Sequence, residues 1–364
     1  METSLDHPPL SHFNHYVIMN LTGDNDTNDD QCCTLGIERI IVPLVFSLVV
    51  VLGVIGNALV IVVVLKNRDY LRNTTNLFIL NLAIADILFL VFCVPFHAVI
   101  YTTMSWPFGQ FLCKFVHFIQ YSSMVASVFT LVAMSADRYC AVAYALETKH
   151  LRTPMVAFVV SLLIWILSLA VAVPWPVFYT VKTYDNLASY PVTICADDWG
   201  HLKGSKPMYF LCLFIIAYIF PLVTIFVLSV LMIRQLWVLE EPEGPSMRAS
   251  ISAKRKVTRL IFVVVAVFCM CWLPSHVIWI WTNFFRHTWK RTYTFYYFRI
   301  VAYVLAYGNS AMNPLIYAFL SVNFRKGFQQ ALHCHPQQSR GGGVVTQRIV
   351  FSKPSFSFSA NYTP

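Results

Sequence analysis

A few polar side chains interrupt the apolar stretches of this chain, and their types define the chemistry available there. Asp86 is the one carboxylate deep inside such a stretch, where a lone charge requires either a partner or a proton. The amides and hydroxyls that share this apolar setting are Asn57, Ser127, Asn309, Ser310 and Asn313. Hard cations prefer oxygen ligands, so this set is able to hold a cation at Asp86. The alternative is a protonated, neutral Asp86 within a hydrogen-bond cluster.

The other ionisable residues do not form a pattern typical of catalysis. An intramembrane enzyme requires a histidine cluster, paired acids or a nucleophile beside a base. His97, His117 and His276 are predicted near one membrane surface, but no carboxylate pair accompanies them. Cys269 and Cys271 are too close together for the usual zinc spacing. A transporter needs several ionisable groups along a path and a repeat between its halves, and the sequence contains neither. We therefore expect neither an enzyme nor a transporter.

The elements that position these residues are apolar runs long enough to cross a bilayer. Hydrophobic residues make up 57% of the 364 residues and charged residues only 12%, whereas a soluble domain carries roughly 25% charged residues. A membrane-crossing helix needs about 20 mainly apolar residues. Runs of this kind occur at 40–65, 75–101, 110–142, 155–178, 208–237, 256–284 and 297–320. The predicted fold is an all-α integral membrane bundle of seven helices.

The charge of the connecting segments predicts the orientation of this bundle. Residues 1–38 contain no Lys or Arg and carry glycan acceptor sequences at Asn20 and Asn25. Basic residues follow the first, third and seventh runs and precede the sixth, so the positive-inside rule assigns these segments to the cytoplasm. One predicted outer segment is an exception to this rule, because it contains Arg286, Lys290 and Arg291. We expect a multi-pass plasma-membrane protein with an extracellular N-terminus and a cytoplasmic C-terminus. We expect the first span to direct insertion, because no short apolar run with a cleavage site precedes it.

The sequence divides into four predicted regions. These are an extracellular glycosylated tail at 1–38, the helix bundle at 39–321, an amphipathic helix on the membrane surface at 322–334 and a disordered cytoplasmic tail at 335–364. Cys334 ends the amphipathic segment, where palmitoylation and a free cytoplasmic thiol are the alternatives. The Ser and Thr residues of the cytoplasmic tail offer phosphorylation sites.

The polar motifs follow an order that resembles the rhodopsin-like G-protein-coupled receptors, and the match extends over residues 38–332. The motifs are Gly56-Asn57, Leu82-Ala83-Ile84-Ala85-Asp86, Cys113, Asp137-Arg138-Tyr139, Trp165, Pro221, Trp272 with Pro274, and Asn313-Pro314 with Tyr317. Any one of these motifs is weak evidence, but one set per span in the family's order is not expected by chance. The resemblance implies a receptor that an extracellular ligand activates and that signals to a heterotrimeric G protein.

The resemblance also implies roles for particular residues. The implied ligands of an allosteric sodium ion are Asp86, Ser127, Asn309, Ser310 and Asn313. The implied disulfide joins Cys113 to Cys195. The implied activation switch consists of Pro221, Phe268, Trp272, Pro274, Asn313, Pro314 and Tyr317. The implied G-protein contacts are Asp137, Arg138, Leu146, Lys254 and Thr258. Further implied partners are a receptor kinase and arrestin at the cytoplasmic tail, and the lipids around the bundle.

Three departures from the family pattern concern signalling. In the family, Arg138 pairs with the preceding aspartate and, in some members, with an acid on the sixth span. The matching stretch 253–256 has no acid here, so we expect a weak resting lock and some basal activity. Ala145 replaces the family's proline, so we expect Leu146 to be presented less rigidly. Ser229 replaces its tyrosine, so we expect a less stable active form.

The outer ends of the spans restrict the class of ligand. Gln120 replaces the aspartate with which amine receptors pair an ammonium, and residues 297–320 lack the lysine that an opsin requires. Aromatics with a few polar groups are typical of a peptide-binding surface, although Trp and Tyr gather at membrane interfaces in any case. The predicted ligand-binding residues are Phe96, His97, Trp106, His117, Gln120, Tyr121, Asp197, Asp198, Trp272, His276, Trp279, Tyr303 and Tyr307.

Several stretches resemble one subgroup, the receptors for galanin and allatostatin-A neuropeptides. They are residues 106–109 with 113–115, 126–135, 305–310, and 317–321 with 323–326. The last of these is shared with somatostatin and opioid receptors. The predicted ligand is therefore an extracellular peptide of the galanin or allatostatin-A type, and the alternatives are a somatostatin- or opioid-like peptide and a lipid. The short loop between the fifth and sixth spans is common among receptors that couple to inhibitory G proteins.

Overall fold

The computed structural model describes residues 37–103, 105–184, 191–202, 204–238, 245–285 and 293–332. Over these residues the chain forms seven long helices, α1 to α7, and a shorter α8. Their bounds are α1 Glu38–Lys66, α2 Thr74–Phe92 and Val94–Thr103, α3 Gly109–Ala143, α4 Pro154–Ala172 and Pro174–Phe178, α5 Ser205–Phe214, Ile215–Ile219 and Phe220–Val238, α6 Pro245–Phe284, α7 Tyr293–Leu320, and α8 Val322–Leu332. The short helices Arg68–Leu71 and Gly200–Leu202 lie in connections. The predicted positions Asn20, Asn25 and Cys334 lie outside the described residues.

The outward faces of the long helices are apolar. Among the described residues, α1 to α6 are long and apolar enough to cross a membrane by length and composition, and α7 is not among them. Along α4, exposed apolar side chains recur every three or four positions, at Met155, Phe158, Leu162, Ile166 and Leu169. Such a continuous apolar stripe is stable against lipid and not against water. The predicted all-α helix bundle is confirmed.

Capping residues and prolines determine where the helices begin and bend. Asn73 starts α2, because its side chain accepts a hydrogen bond from the backbone N–H of Thr75 at 3.0 Å. Thr153 starts α4 in the same way, through Val156 N at 3.3 Å. Proline has no N–H and interrupts the helical hydrogen bonds. Accordingly, α2 breaks at Cys93 before Pro95, and α5 contains a π-helical turn at Ile215–Ile219 before Pro221.

Close contacts between helices fix the polar residues at their depths in the bundle. Gly56 lets α1 approach α7, because an added Cβ would lie 2.8 Å from the Pro314 ring. Asn81 connects three helices: its Nδ2 donates to Thr130 Oγ1 at 2.8 Å, and its Oδ1 accepts from Trp165 Nε1 at 2.9 Å. These contacts hold α1, α2, α3, α4 and α7 in a single packed unit.

An antiparallel hairpin covers one end of the bundle. Strand β1 (Tyr179–Tyr184) pairs with β2 (Val192–Asp197), with Val181 opposite Cys195. A disulfide joins Cys195 to Cys113 in the first turns of α3. The backbone N–H of Trp106 donates to Thr193 O at 2.7 Å, which attaches the hairpin to the turn before α3. The hairpin is therefore fixed above the space between the helices.

Candidate functional site

A polar cluster lies in the middle of the bundle around Asp86, which is 1% exposed. Asn313 Nδ2 donates to Asp86 Oδ2 at 2.8 Å. Asn57 Nδ2 donates to the Ser310 carbonyl at 2.9 Å, which ties α1 to α7 beside this carboxylate. The Oδ1 atoms of Asp86, Asn57, Asn309 and Asn313 are buried and have no hydrogen-bond partner among the described residues. Unsatisfied buried oxygens are costly, so the cluster has the capacity to bind a cation or water.

The structure brings the predicted residues of α7 together with Asp86 of α2. Ser127 of α3 has no direct contact with this carboxylate among the described residues. Ser310 interacts with Asp86 through its side chain. Asn309, Ser310 and Asn313 are all buried on α7. Ser127 is buried on α3 but forms no hydrogen bond with Asp86 in the described part of the chain. The buried oxygens without partners are therefore contributed by α1, α2 and α7.

A second buried carboxylate, Asp137, lies at the opposite end of α3 from the disulfide. Arg138 binds it through Nη2 at 2.5 Å and through Nε at 3.0 Å. Thr74 and Thr75 each donate a hydroxyl hydrogen bond to it, at 2.6 and 2.8 Å. Arg152, in the turn after α3, adds an ion pair at 3.6 Å. Asp137 is thus held by four side chains, and it holds Arg138 along the side of α3.

The other predicted G-protein contacts differ in exposure. Leu146 is 89% exposed on the loop after α3, so its side chain is available to a partner. Thr258 on α6 donates to Met232 Sδ on α5 at 3.3 Å, which places it between two helices. Ser229, where the family has tyrosine, is buried on α5. The side chain of Lys254 lies outside the described residues.

The half of the bundle beneath the hairpin contains a continuous aromatic cluster. Tyr121 stacks on Trp175 with ring centroids 3.4 Å apart, and its ring lies 5.4 Å from Trp279 of α6. His117 stacks on Tyr179 of the hairpin at 3.9 Å. Further in, His97 and Tyr307 share a hydrogen bond, and Tyr303 stacks on Tyr307 at 5.9 Å. This cluster joins α2, α3, α6 and α7 around the predicted ligand site.

Polar atoms without partners are concentrated in the same region. They belong to Gln120 (Oε1), Ser123 (Oγ), Trp272 (Nε1) and His276 (Nδ1 and Nε2), each buried with no hydrogen-bond partner among the described residues. Buried polar groups in folded proteins are normally hydrogen-bonded. A ligand that presents donors and acceptors among aromatic walls would satisfy these atoms.

The two acids predicted in this region both have partners. Asp197 forms a buried ion pair with Lys206 of α5 at 2.6 Å. Asp198 pairs with Lys182 of the hairpin at 2.9 Å, and both side chains are partly exposed. These ion pairs link the hairpin to α5 and to itself. A cationic ligand would have to compete with a lysine at either acid.

Two other predicted contact residues belong to a separate cluster near the turn before α3. Trp106 is 2% exposed and donates through Nε1 to the Gly109 carbonyl at 2.9 Å. Phe96 packs edge-on against Phe108 with centroids 4.9 Å apart. Both side chains support the turn before α3, and no contact joins them to Gln120 or His276 among the described residues.

The predicted aromatic switch is packed between the Asp86 cluster and the predicted ligand site around Gln120, Tyr121 and His276, which is called the outer pocket below. The Trp272 ring lies 6.1 Å from Phe268, 6.0 Å from Phe89 and 6.4 Å from His276. Pro274 lies inside α6 one half-turn further along, and Pro314 lies inside α7. A ligand at His276 would therefore contact rings that continue through Trp272 to Phe89, one helical turn from Asp86 on α2. Pro274 leaves α6 without a helical hydrogen bond beside this path.

The structure adds residues that were not among the predicted ligand contacts. Ser123 lies one helical turn from Gln120, a spacing that places both on one face of α3. Tyr218, in the π-helical turn of α5, packs its ring 4.7 Å from His276 and donates to the Cys269 carbonyl at 3.0 Å. Phe214 lies beside the same histidine at 5.6 Å. Irregular helical turns of this kind are frequent at functional sites.

Comparison with known proteins agrees with this arrangement. The sequence profile described as "7 transmembrane receptor (rhodopsin family)" matches residues 56–317. Galanin receptor 2b of Danio rerio is 40% identical over 329 residues, which cover 90% of this chain and 84% of that protein. Galanin receptor type 2 of Homo sapiens is 40% identical over 86% of this chain and 77% of its own length. Galanin receptor type 1 of Mus musculus is 39% identical over 83% of this chain and 84% of its own. This chain therefore belongs to the rhodopsin family of seven-transmembrane receptors.

Proposed function

We propose that this receptor binds a galanin-like neuropeptide in the outer pocket and activates a heterotrimeric G protein at its other end. Identity of about 40% to galanin receptors over most of the chain supports this ligand class. The observation that carries the proposal is the set of buried polar atoms without partners on Gln120, Ser123, Trp272 and His276. A peptide side chain with both polar and aromatic character fits these atoms and the rings around them.

The proposed orientation places the hairpin outside the cell and the Asp137–Arg138 pair inside, in the plasma membrane. The disulfide between Cys113 and Cys195 supports this side as the oxidising one. Basic residues near Asp137, among them Lys149 and Arg152, support the other side as cytoplasmic. On that side we also propose palmitoylation of Cys334 and engagement of the tail by a receptor kinase and arrestin. The short α5–α6 connection supports an inhibitory G protein.

The proposed mechanism couples the pocket to Arg138 through α6. Peptide binding at His276 displaces the Trp272 ring, and α6 pivots where Pro274 lacks its hydrogen bond. The outward movement of α6 gives a G protein access to Arg138, Leu146 and the cytoplasmic part of α6. A ligand shifts this equilibrium only by its difference in affinity for the two arrangements. The contacts to Trp272 must therefore be stronger in the active arrangement.

A sodium ion at Asp86 is the proposed stabiliser of the resting arrangement. The donor set fits this ion, because the buried oxygens without partners belong to a carboxylate and three amides. Asp86, Ser127, Asn309, Ser310 and Asn313 would hold the ion. Its charge would balance that of Asp86, so that no proton is needed on the carboxylate.

A lipid is the second candidate ligand, and one cavity favours it. A cavity of about 390 Å³ opens between α5 and α6, and its lining is almost wholly apolar. Its lining residues are Phe214, His276, Val277, Ile280, Trp281 and Phe285. His276 thus lines both the outer pocket and this cavity. The binding experiment that follows includes lipids among its competitors for this reason.

Displacement of labelled galanin from cell membranes tests the proposed ligand. Unlabelled galanin-like peptide should displace the label at lower concentration than allatostatin-A-like, somatostatin-like or opioid-like peptides or lipids. His276→Phe keeps a ring but removes the nitrogens to which the peptide would form hydrogen bonds. It should weaken binding several-fold, which corresponds to a loss of about 1 kcal/mol. The control Met270→Leu, on the exposed side of the same helix, should bind like the parent protein. Stronger displacement by any other competitor, with the receptor at the cell surface, would reject galanin as the ligand class.

A further inference from the structure

The apolar cavity between α5 and α6 is open to the lipid side of the bundle. Its volume of about 390 Å³ is within the range of small-ligand sites, roughly 300–1,000 Å³. Three of its lining residues, Val277, Trp281 and Phe285, are between 38% and 56% exposed. Large apolar side chains with this exposure on a membrane-crossing helix face lipid. A molecule dissolved in the membrane can therefore enter the cavity without passing through the outer pocket.

The walls of this cavity are held by packed rings. Phe214 directly precedes the π-helical turn of α5, and its ring stacks on that of Tyr218 with centroids 5.7 Å apart. Trp281 packs edge-on against Phe295 of α7 at 5.8 Å. Aromatic side chains fixed by such contacts have few alternative positions. The cavity is therefore formed before any ligand enters it.

His276 lines the cavity and has no hydrogen-bond partner there. Its side chain is 1% exposed, and both ring nitrogens lack a partner among the described residues. The ring of Tyr218 lies 4.7 Å away, but its hydroxyl donates its hydrogen to the Cys269 carbonyl at 3.0 Å. A neutral imidazole has one nitrogen that donates and one that accepts. Since a hydroxyl group does both, a bound hydroxyl would satisfy whichever nitrogen faces the cavity.

The depth of His276 restricts which part of a lipid can reach it. His276 lies eight residues before Phe284, the last residue of α6. At a rise of 1.5 Å per residue, this places His276 roughly 12 Å inside that end of the helix. The polar head of a lipid stays near the interface, because burial away from water is costly. The hydroxyl that reaches His276 must therefore lie along the chain. An extended chain advances roughly 1.2 Å per bond, so the hydroxyl would be about ten bonds from the head.

We propose that this cavity binds a single-chain lipid with a hydroxyl group partway along its chain, such as a hydroxy fatty acid, and that this hydroxyl bonds to His276. The proposal narrows the lipid alternative given above to one chemical class, and it does not rest on the identity of the peptide. The volume of the cavity, near the lower end of the usual range, favours one chain over two. No charged side chain is among its described lining residues, so a neutral hydroxyl suits it and an ionised group does not.

Two consequences follow from this chemistry. Cholesterol carries its one hydroxyl at its head, so it would leave His276 without a partner. His276 also lines the outer pocket, so lipid binding and peptide binding would influence each other through this residue.

Lipid binding to the purified, peptide-free receptor in phosphatidylcholine nanodiscs tests the proposal. The probe is octadecanoic acid with a hydroxyl at carbon twelve and a photoreactive group at its methyl end, read as saturable cross-linking. The unlabelled competitors are the same hydroxylated acid, unsubstituted octadecanoic acid, the isomer with its hydroxyl at carbon two, and cholesterol. The mid-chain isomer should displace the probe at a concentration at least about fivefold lower than the others, because its hydrogen bond satisfies a buried atom.

Two variants separate the hydrogen bond from the binding of the chain. His276→Phe keeps the apolar walls, so it should bind the mid-chain isomer and the unsubstituted acid with nearly equal affinity. Val277→Phe narrows the cavity and should weaken both acids several-fold. Its matched control, Met270→Phe, changes an exposed side chain of the same helix outside the cavity and should bind like the parent protein. All variants should elute as monodisperse receptors.

The proposal would be overturned by equal displacement by the three acids in the parent protein. A preference for the mid-chain isomer that persists in His276→Phe would also contradict it, as would equal binding by Val277→Phe and Met270→Phe. Stronger displacement by cholesterol would assign the cavity to a sterol instead. Failure to bind any galanin-like peptide would reject the proposed peptide ligand and leave these lipid measurements unchanged.

Discussion

Asp86 and Asp137 are both buried carboxylates, and their partners give them different roles. Asp137 is bound by two arginines and two threonine hydroxyls, so its charge is balanced within the protein. Asp86 receives a hydrogen bond from Asn313 and has an oxygen without a partner. Asp137 can therefore hold Arg138 in a fixed position, whereas Asp86 can bind an ion reversibly.

Replacement of Asp86 by Asn tests the proposed ion. Sodium bound only to the folded receptor would raise its melting temperature relative to choline chloride at equal ionic strength. Asp86→Asn removes the negative charge and should abolish this difference, measured as the apparent melting temperature of the purified receptor in each salt. The exposed Asp69→Asn should retain the sodium effect. A sodium shift that persists in Asp86→Asn would remove the ion from this site.

Signalling without ligand tests whether Asp137 holds Arg138 in the resting arrangement. Because 253–256 supplies no acid to Arg138, the parent receptor should signal without ligand above untransfected cells. Asp137→Asn removes the charge that holds Arg138 and should raise this basal signal further, read as ligand-free G-protein activation at matched surface expression. Asp69→Asn again serves as the control. A parent receptor no more active than untransfected cells would contradict the weak lock, and an unchanged Asp137→Asn would contradict the role of this carboxylate.

Sequence was a good guide to buried polar residues and a poor guide to their partners. Asp86 and Asp137 were recognisable because lipid makes such groups costly and the motif order assigned them a family. Thr74, which binds Asp137, gave no signal, because the contact joins residues 63 positions apart in the chain. Asp197 was predicted as a ligand contact. Its ion pair with Lys206 could not be predicted, because it depends on how the hairpin packs against α5.

The helices were predictable as elements, and their irregularities were not. The run 75–101 was expected as one helix, whereas α2 breaks at Cys93. The run 256–284 begins earlier, at Pro245, because α6 continues beyond the apolar segment with polar residues. Hydropathy measures contact with lipid and therefore misses helix outside the membrane. The hairpin was also missed, since its strands are short and its position depends on the disulfide and on Trp106.

The contact between α1 and α7 gives a prediction at the scale of elements. Gly56→Ala would bring a methyl group within 2.9 Å of the rigid Pro314 ring, so the helices must separate. This strain should cost about 1–3 kcal/mol. Gly308→Ala is the matched control, because an added Cβ at Gly308 meets no atom within 4 Å. The apparent melting temperature should fall for Gly56→Ala and stay equal or rise slightly for Gly308→Ala. Equal melting temperatures would mean that this contact does not limit stability.

At the scale of the whole molecule, one packed core connects the two ends of the helix bundle. The aromatic cluster beneath the hairpin continues through Trp272 towards Asp86, and the Asp137 network lies at the far end. The seven-helix architecture followed from hydropathy, and the family followed from motif order. Which peptide the pocket accepts depends on atoms from several helices, so it could be predicted only as a class by resemblance.

Peptide-evoked calcium release in cells that coexpress the receptor and a promiscuous G protein tests the central claim most directly. We predict that a galanin-like peptide evokes a saturable response that untransfected cells lack. His276→Phe at equal surface expression should shift this response to higher concentration, and Met270→Leu should not. The absence of any response to galanin-like peptides, with the receptor at the surface and the G protein shown to be functional, would contradict the account.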